Sequence, residues 1–262
     1  MQKKRKLAAL YIRFNLSAAL EYRASFLSAA VGMFVSDATF IFFWWALFQQ
    51  ADGPIGGYDF RDMMFIWATA ASGFGLMNIL FGNLPRINDM VMTGALDTYL
   101  LQPRNVLLNL LMSRTDFTAW GDFLYGIAVM ILSHQSFSGW MGYLLGVFSG
   151  GIVMASEIVI LQSTVFFLGN SSFLSGMSLN LSINFCTYPE GIFPRALRFL
   201  LYWLIPAQFI VHVPLRIARG IGVAYWLPAQ IGATLCFVAL ALWVFERGLR
   251  KYESGNLIIT RM

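Results

Sequence analysis

Apolar residues fall along this chain in six long runs, separated by shorter stretches that collect nearly all the charge. A helix needs about 20 mostly apolar residues to cross hydrocarbon. The pattern predicts six such helices, at about 25–48, 62–83, 115–133, 140–168, 171–187 and 226–245. Aromatic rings that suit the membrane–water interface mark several ends: Trp44 and Trp45, Trp140 and Tyr143, Trp226 and Trp243. Ahead of the first run, Leu7, Leu10, Tyr11, Phe14 and Ala18 recur at helical spacing, with Arg13, Asn15, Glu21 and Arg23 between them. This predicts an amphipathic helix over 1–23 lying on the membrane surface, or a basic tail that only sets orientation. The polar interruptions exclude a signal peptide.

Two stretches between spans break the simple pattern. Residues 84–114 form a long amphipathic segment in which Gly94 and Pro103 bracket ALDTYLLQ. Leu96, Tyr99 and Leu100 fall on one side of this predicted short helix. An exposed apolar face of that kind calls for a partner surface or the membrane. Residues 188–225 are apolar but cut by Pro189, Pro194, Pro206 and Pro214. Each proline removes a backbone donor and disfavours helix in the residue before it. The expected outcome is a set of short re-entrant helices buried by protein; the alternative is a seventh span over 196–213. The predicted plan is an interfacial helix at 1–23, one transmembrane domain at 24–246 and a tail at 247–262.

Composition sharpens this reading. Hydrophobic residues make up 58% of the 262 and charged residues 12%, against roughly 45–50% and 25% in soluble domains; mean hydropathy is +0.65. No lysine lies between Lys6 and Lys251. That gap excludes a GxxxxGK[ST] loop, so any ATP-driven work needs ATP bound by another chain. With both termini in the cytoplasm, twelve Lys and Arg fall inside and five outside, which favours that orientation over nucleic-acid binding as the meaning of the +5 charge. Cys186 and Cys236 show neither metal nor CxxC spacing, and His134 and His212 are unpaired in sequence, so no disulfide, metal site or catalytic constellation is expected.

Polar groups inside the spans are the candidate chemistry. In the fifth span, Ser171, Ser175, Ser178 and Ser182 fall on one helical face, with Asn180 and Asn184 close by. They either line a translocation path or hydrogen-bond neighbouring helices. Gly142, Gly146 and Gly150 repeat every fourth residue, a seam for close helix packing or for sliding. Asp37 and Glu157 are intramembrane carboxylates, suited to a cationic solute, to a partner's arginine or to a structural hydrogen bond. Asp122 and Asp116 stand nearer the start of the third span, with Arg114 just before it.

The run TGALDTYLLQPRN, the series YPEGIFP…IPAQF…P at 188–214 and the closing WVFERGLRKYESG at 243–255 together resemble the ABC-2 type permeases. The similarity is to the subfamily of about 260 residues, and it covers nearly the whole length. The resemblance implies an all-α integral membrane protein of the ABC-2 (type V exporter) kind, with six spans, an N-terminal surface helix and re-entrant helices before the last span. It implies a permease subunit that is not itself an enzyme, paired in the bacterial inner membrane with a second, commonly different, permease chain. Two copies of an ABC ATPase then carry ATP and Mg, and this chain needs no cofactor. On that pattern Gly94, Leu96, Asp97, Tyr99, Leu100 and Pro103 contact the ATPase. Gln102 departs from it, standing where such sequences often carry a basic residue. The expected function is export of a drug, toxin, lipid or glycan. The alternatives are a secondary transporter driven by an ion gradient through Asp37 or Glu157, and a membrane enzyme.

Overall fold

The computed structural model describes residues 23–103, 105–203 and 205–252. The surface helix expected over 1–23 and most of the tail at 247–262 lie outside the described residues. Those described contain no strand, and 79% of them are helical.

Each of the six apolar runs forms a helix. The first, α1 (Arg23–Gln50), has 28 residues and is about 42 Å long. Asp59 caps α2 (Phe60–Leu80): its carboxylate accepts from Asp62 N at 2.9 Å, while Asp62 Oδ2 accepts from Asp59 N at 2.7 Å. This reciprocal box satisfies two otherwise orphaned donors. A 3₁₀ turn at Leu84–Arg86 leads into α3 (Ile87–Met92), α4 (Asp97–Leu100) and α5 (Val106–Met112), with Asn105 capping the last. Then come α6 (Ala119–Leu132), α7 (Phe137–Leu145), a π turn at Gly146–Gly150, α8 (Gly151–Gln162) and α9 (Val165–Leu168). Residues Phe137–Leu168 form one unit of 32 residues, long and apolar enough to cross a membrane. α10 (Ser172–Thr187) follows. The proline-cut segment holds a 3₁₀ turn at Glu190–Ile192, α11 (Arg195–Trp203), a π turn at Gln208–His212 and α12 (Val213–Ala218). Gly222, at φ +58°, turns the chain into α13 (Val223–Leu249).

Four of these units are long and apolar enough to cross a membrane: α1, α2, α7–α9 and α13. The other two, α6 and α10, are shorter; α10 keeps its predicted bounds to within one residue, and α6 starts later than predicted. α6 begins at Ala119 rather than near 115, because the Asp116 side chain folds the preceding backbone into a turn, accepting from Thr118 N and Oγ1 at 3.0 and 2.8 Å. With 14 and 16 residues, α6 and α10 extend only about 21 and 24 Å.

Burial separates centre from rim. In α2 and in the 137–168 unit, 61% of the membrane-length window is buried; in α1 and α13 the share is 11%. α2 is the hub. Its Met63, Phe65, Ile66 and Ala68 are fully buried, and it packs along α6 through Gly126, where a Cβ would lie 2.5 Å from Ala68 O.

The glycine seam is closed from within the chain. A Cβ on Gly142 would sit 2.6 Å from Ala218 Cβ, on Gly146 2.4 Å from Thr69 Cγ2, and on Gly150 2.4 Å from Ile210 O. The seam receives the π turn and α12 of the proline-cut segment, together with α2. Pro189, Pro194, Pro206 and Pro214 each stand at or near the start of one of that segment's short elements, where a missing N–H costs least.

Candidate functional site

One end of the bundle gathers residues 82–114, the link between α8 and α10, and the end of α13. Asn83 Nδ2 donates to Leu110 O at 2.9 Å and to Ser113 Oγ at 2.7 Å. Tyr99 Oη meets the same Ser113 hydroxyl at 2.8 Å, and Gly82 N donates to Arg114 O at 2.9 Å. Gln102 Oε1 accepts from Asn109 Nδ2 at 2.5 Å, so this residue, which departs from the basic one common in similar sequences, forms an internal clamp. The short helix is only Asp97–Leu100; Gly94, at φ +74°, starts the bend before it.

This packing sorts the predicted contact residues. Leu96 is wholly buried and Tyr99 partly so; both hold the segment in shape rather than present it. Leu100 and Pro103 are exposed, and Asp97 lies between. Among the described residues the most exposed large apolar side chain is Leu101, at 87%. Helical periodicity grouped Leu96 with Leu100 and passed over Leu101, because the four-residue helix unwinds there.

Asn88 is a second residue that sequence reasoning missed. Its backbone N donates to Gln162 Oε1 at 3.1 Å, and its side-chain amide pairs with the Ser171 hydroxyl at 2.9 Å. Ser171 in turn accepts from Thr164 Oγ1 at 2.7 Å. One buried asparagine therefore joins the 84–114 segment to the end of α8 and the start of α10.

Within the spans, the polar stripe of α10 divides. Ser171, Ser175 and Ser182 are buried and bonded inside the chain: Ser175 Oγ donates to Leu161 O at 2.9 Å, and Ser182 Oγ donates to the Glu157 carboxylate on α8. Ser178 is intermediate, and Asn180 and Asn184 are exposed on the other face beside Met177 and Leu181. Asp37 on α1 is buried against Asp122 on α6, their carboxyls within hydrogen-bond reach. Asp37 and Glu157 are thus not brought together; each has a different partner.

The opposite end carries a second cluster. Arg219 pairs with Asp62, its Nε donating to Oδ1 at 2.8 Å, and its guanidinium lies 5.2 Å from the centre of the Tyr58 ring. Arg216 pairs with Glu190 and stacks over Trp226 at 4.6 Å. His212 lies between Tyr58 Oη and Phe185 O, 3.4 Å from each. The Gly56 and Gly191 backbones touch, since a Cβ on Gly191 would fall 1.9 Å from Gly56 O. Arg216–Glu190 braces the proline-cut segment internally, and the other contacts fasten that segment to α2, to the link before it, to α10 and to α13.

Burial pushes the His212 imidazole down from 6.5 to about 4. Burial alone would raise the Glu190 carboxyl, but the neighbouring His212 and the Arg216 guanidinium outweigh it and hold that carboxyl below its ordinary value. The folded state thus keeps His212 neutral, while the unfolded chain takes up a proton near 6.5. Stability is intact above that pH and is lost as pH falls towards about 4, and the Glu190 contribution is lost in the same direction. We expect the thermal midpoint of the solubilised protein to fall by several degrees between pH 7 and pH 4.5, and the fall to be shallower in His212→Gln. Equal slopes for the two proteins would contradict this assignment.

Among the described residues, no group of three or more His, Cys, Asp or Glu could hold a metal ion. Compared with known protein families, residues 34–255 match the model described as ABC-2 family transporter protein. Searches of curated proteins and of solved structures give no match.

Proposed function

This chain belongs to the ABC-2 family of transporter proteins and is a membrane permease subunit of that class, and from this premise we propose that it exports an amphipathic compound with energy from a separate ATPase. The family implies association with an ABC ATPase. In our reading two copies of that ATPase, carrying ATP and Mg, dock on the end formed by residues 84–114. Two permease chains pair, this one with a different member of the family. Both termini face the cytoplasm, and the membrane is the bacterial inner membrane. The solute belongs to the drug, toxin, lipid or glycan classes. It passes along the face of α10 that carries Asn180 and Asn184.

The observation that carries the reading is the state of the 84–114 segment. It is locked to the bundle by Asn83, Asn88, Tyr99 and Gln102, yet it holds Leu101 out at 87% exposure. A rigid support with a projecting apolar side chain is suited to insert into a partner's pocket. Motion received there passes through Asn88 to Ser171 and so to α10.

A pull-down of the tagged chain tests it. Wild type is expected to bring an ATPase subunit, and Leu101→Glu to lose it at least about tenfold with the yield of folded chain unchanged. An ATPase retained by both Leu101→Glu and Leu100→Glu would move the docking site elsewhere. A pull-down that never contains an ATPase, from a chain that still transports, would sink the exporter reading.

A further inference from the structure

Asp37 and Asp122 open onto one cavity of about 120 Å³, walled by Met33, Phe74, Met154 and Ile183 and by the indole of Trp67. Three features of this cavity point to a ligand. First, two carboxyl groups stand side by side in a span, and no Lys, Arg or His lines the cavity to balance them. Two buried carboxyls in a medium of low dielectric do not both stay charged on their own: they share a proton, or take a positive group between or beside them. Second, Asp37 Oδ2 has no donor, although the residue is 8% exposed. Third, and independently of the acids, Trp67 Nε1 has no acceptor, although Trp67 too is only 8% exposed. A buried N–H without a partner costs about as much as a lost hydrogen bond, so it marks a place for an oxygen or nitrogen acceptor.

We infer that this cavity binds the protonated amine of an organic cation, with Asp37 and Asp122 taking the ammonium and Trp67 donating to a neighbouring oxygen of the same molecule. The remaining walls decide against an inorganic ion. A hard metal cation needs about six oxygen ligands. The cavity offers two carboxyls, the Thr187 oxygen and the thiol of Cys186, a soft ligand that a hard cation disfavours, and among the described residues no three acidic, Cys or His side chains are grouped to hold a metal ion. Methionine, phenylalanine and isoleucine side chains instead suit the carbon skeleton beside an amine. Ile183, one of the walls, is itself 38% exposed on α10, and Met33 is half-buried on α1. The cavity therefore opens sideways between α1 and α10, where an amphipathic molecule arrives from the membrane. The inference deepens the export reading and rests on it for the meaning of the site, but not for the existence of the site.

Binding is measured without nucleotide, on the full chain with its copurifying subunits in nanodiscs of zwitterionic lipid. The probe is radiolabelled 2-phenoxyethylamine, with 2-phenoxyethanol as the neutral control. Saturable binding of the amine, and none of the alcohol, is expected. Asp37→Asn and Asp122→Asn should each weaken it at least about tenfold, and Trp67→Phe about threefold to tenfold. Asp52→Asn, at an exposed carboxylate outside the spans, should leave it unchanged. Ala71→Leu keeps both acids but fills the cavity, and should abolish binding even if one of the acid variants fails to fold. No saturable binding by wild type, as for a site that takes only a proton, overturns the assignment. So does binding that survives both acid substitutions and Ala71→Leu. Loss of ATP-driven transport with amine binding retained would count against the export reading alone.

Discussion

Replacement of Asn88 by leucine is expected to cut ATP-driven transport by about tenfold or more while the ATPase stays bound and continues to hydrolyse ATP. The side chain is nearly isosteric and buried, so folding tolerates it far better than a charge. What disappears is the amide's bond to Ser171, the direct tie between the 84–114 segment and the start of α10. The backbone bond from Asn88 N to Gln162 Oε1 remains, so the segment keeps its place against α8. Coupling free energies between sites typically run about 1–3 kcal/mol, and losing one of two ties should remove much of that. Gln162→Leu is expected to act in the same direction, and the double variant should add little beyond the stronger single one if both serve one linkage. The check is transport and ATP hydrolysis measured on the same reconstituted vesicles. Parallel loss of both activities would indicate damage to docking instead. Unchanged transport in the double variant would remove Asn88 from the route.

The second large effect is on stability. Gly150→Val should strongly reduce the amount of folded protein, because its Cβ alone would lie 2.4 Å from Ile210 O, a backbone atom that cannot rotate aside. Overpacking of a tight core costs about 1–3 kcal/mol, and more where backbone must move. Gly232→Val provides the internal control: that glycine is also in a membrane-length helix, but nothing lies within 4 Å of its Cβ position. Fluorescence-detected size exclusion across a temperature ramp compares the two. If Gly150→Val melts with Gly232→Val, the proline-cut segment is not seated on this seam as described.

The helices were legible because a bilayer imposes a coarse requirement, about 20 apolar residues in sequence, which needs no knowledge of neighbours. Their local punctuation was partly legible as well: Asp59, Asp62 and the prolines act within a few residues of themselves. What stayed hidden depends on residues distant in sequence. Nothing near Asp62 announces Arg219, 157 positions away, and nothing near Asn88 announces Ser171. The serines of α10 were visible as a polar face, but whether they faced a path or a neighbour turned on Glu157 and Leu161, which are on another helix. Asp37, like Glu157, stood out as an intramembrane acid, whereas its pairing with Asp122 required the approach of α1 to α6. Leu101 was missed for a different reason. Periodicity assumes that the helix continues, and at Leu100 it stops.

The segment over the far end is held at its charged rim by Asp62–Arg219, braced within itself by Glu190–Arg216, and seated along its underside on Gly142, Gly146 and Gly150. A piece pinned on two sides does not swing like a flap; it travels with α2 and with α7–α8 as one block. The outline left free to change is then the perimeter, where α1 and α13 keep only 11% of their membrane-length windows covered. In the paired assembly we propose, two such blocks would move as the jaws of a vice move: the gap would widen and narrow, while each jaw kept its own shape through the whole stroke.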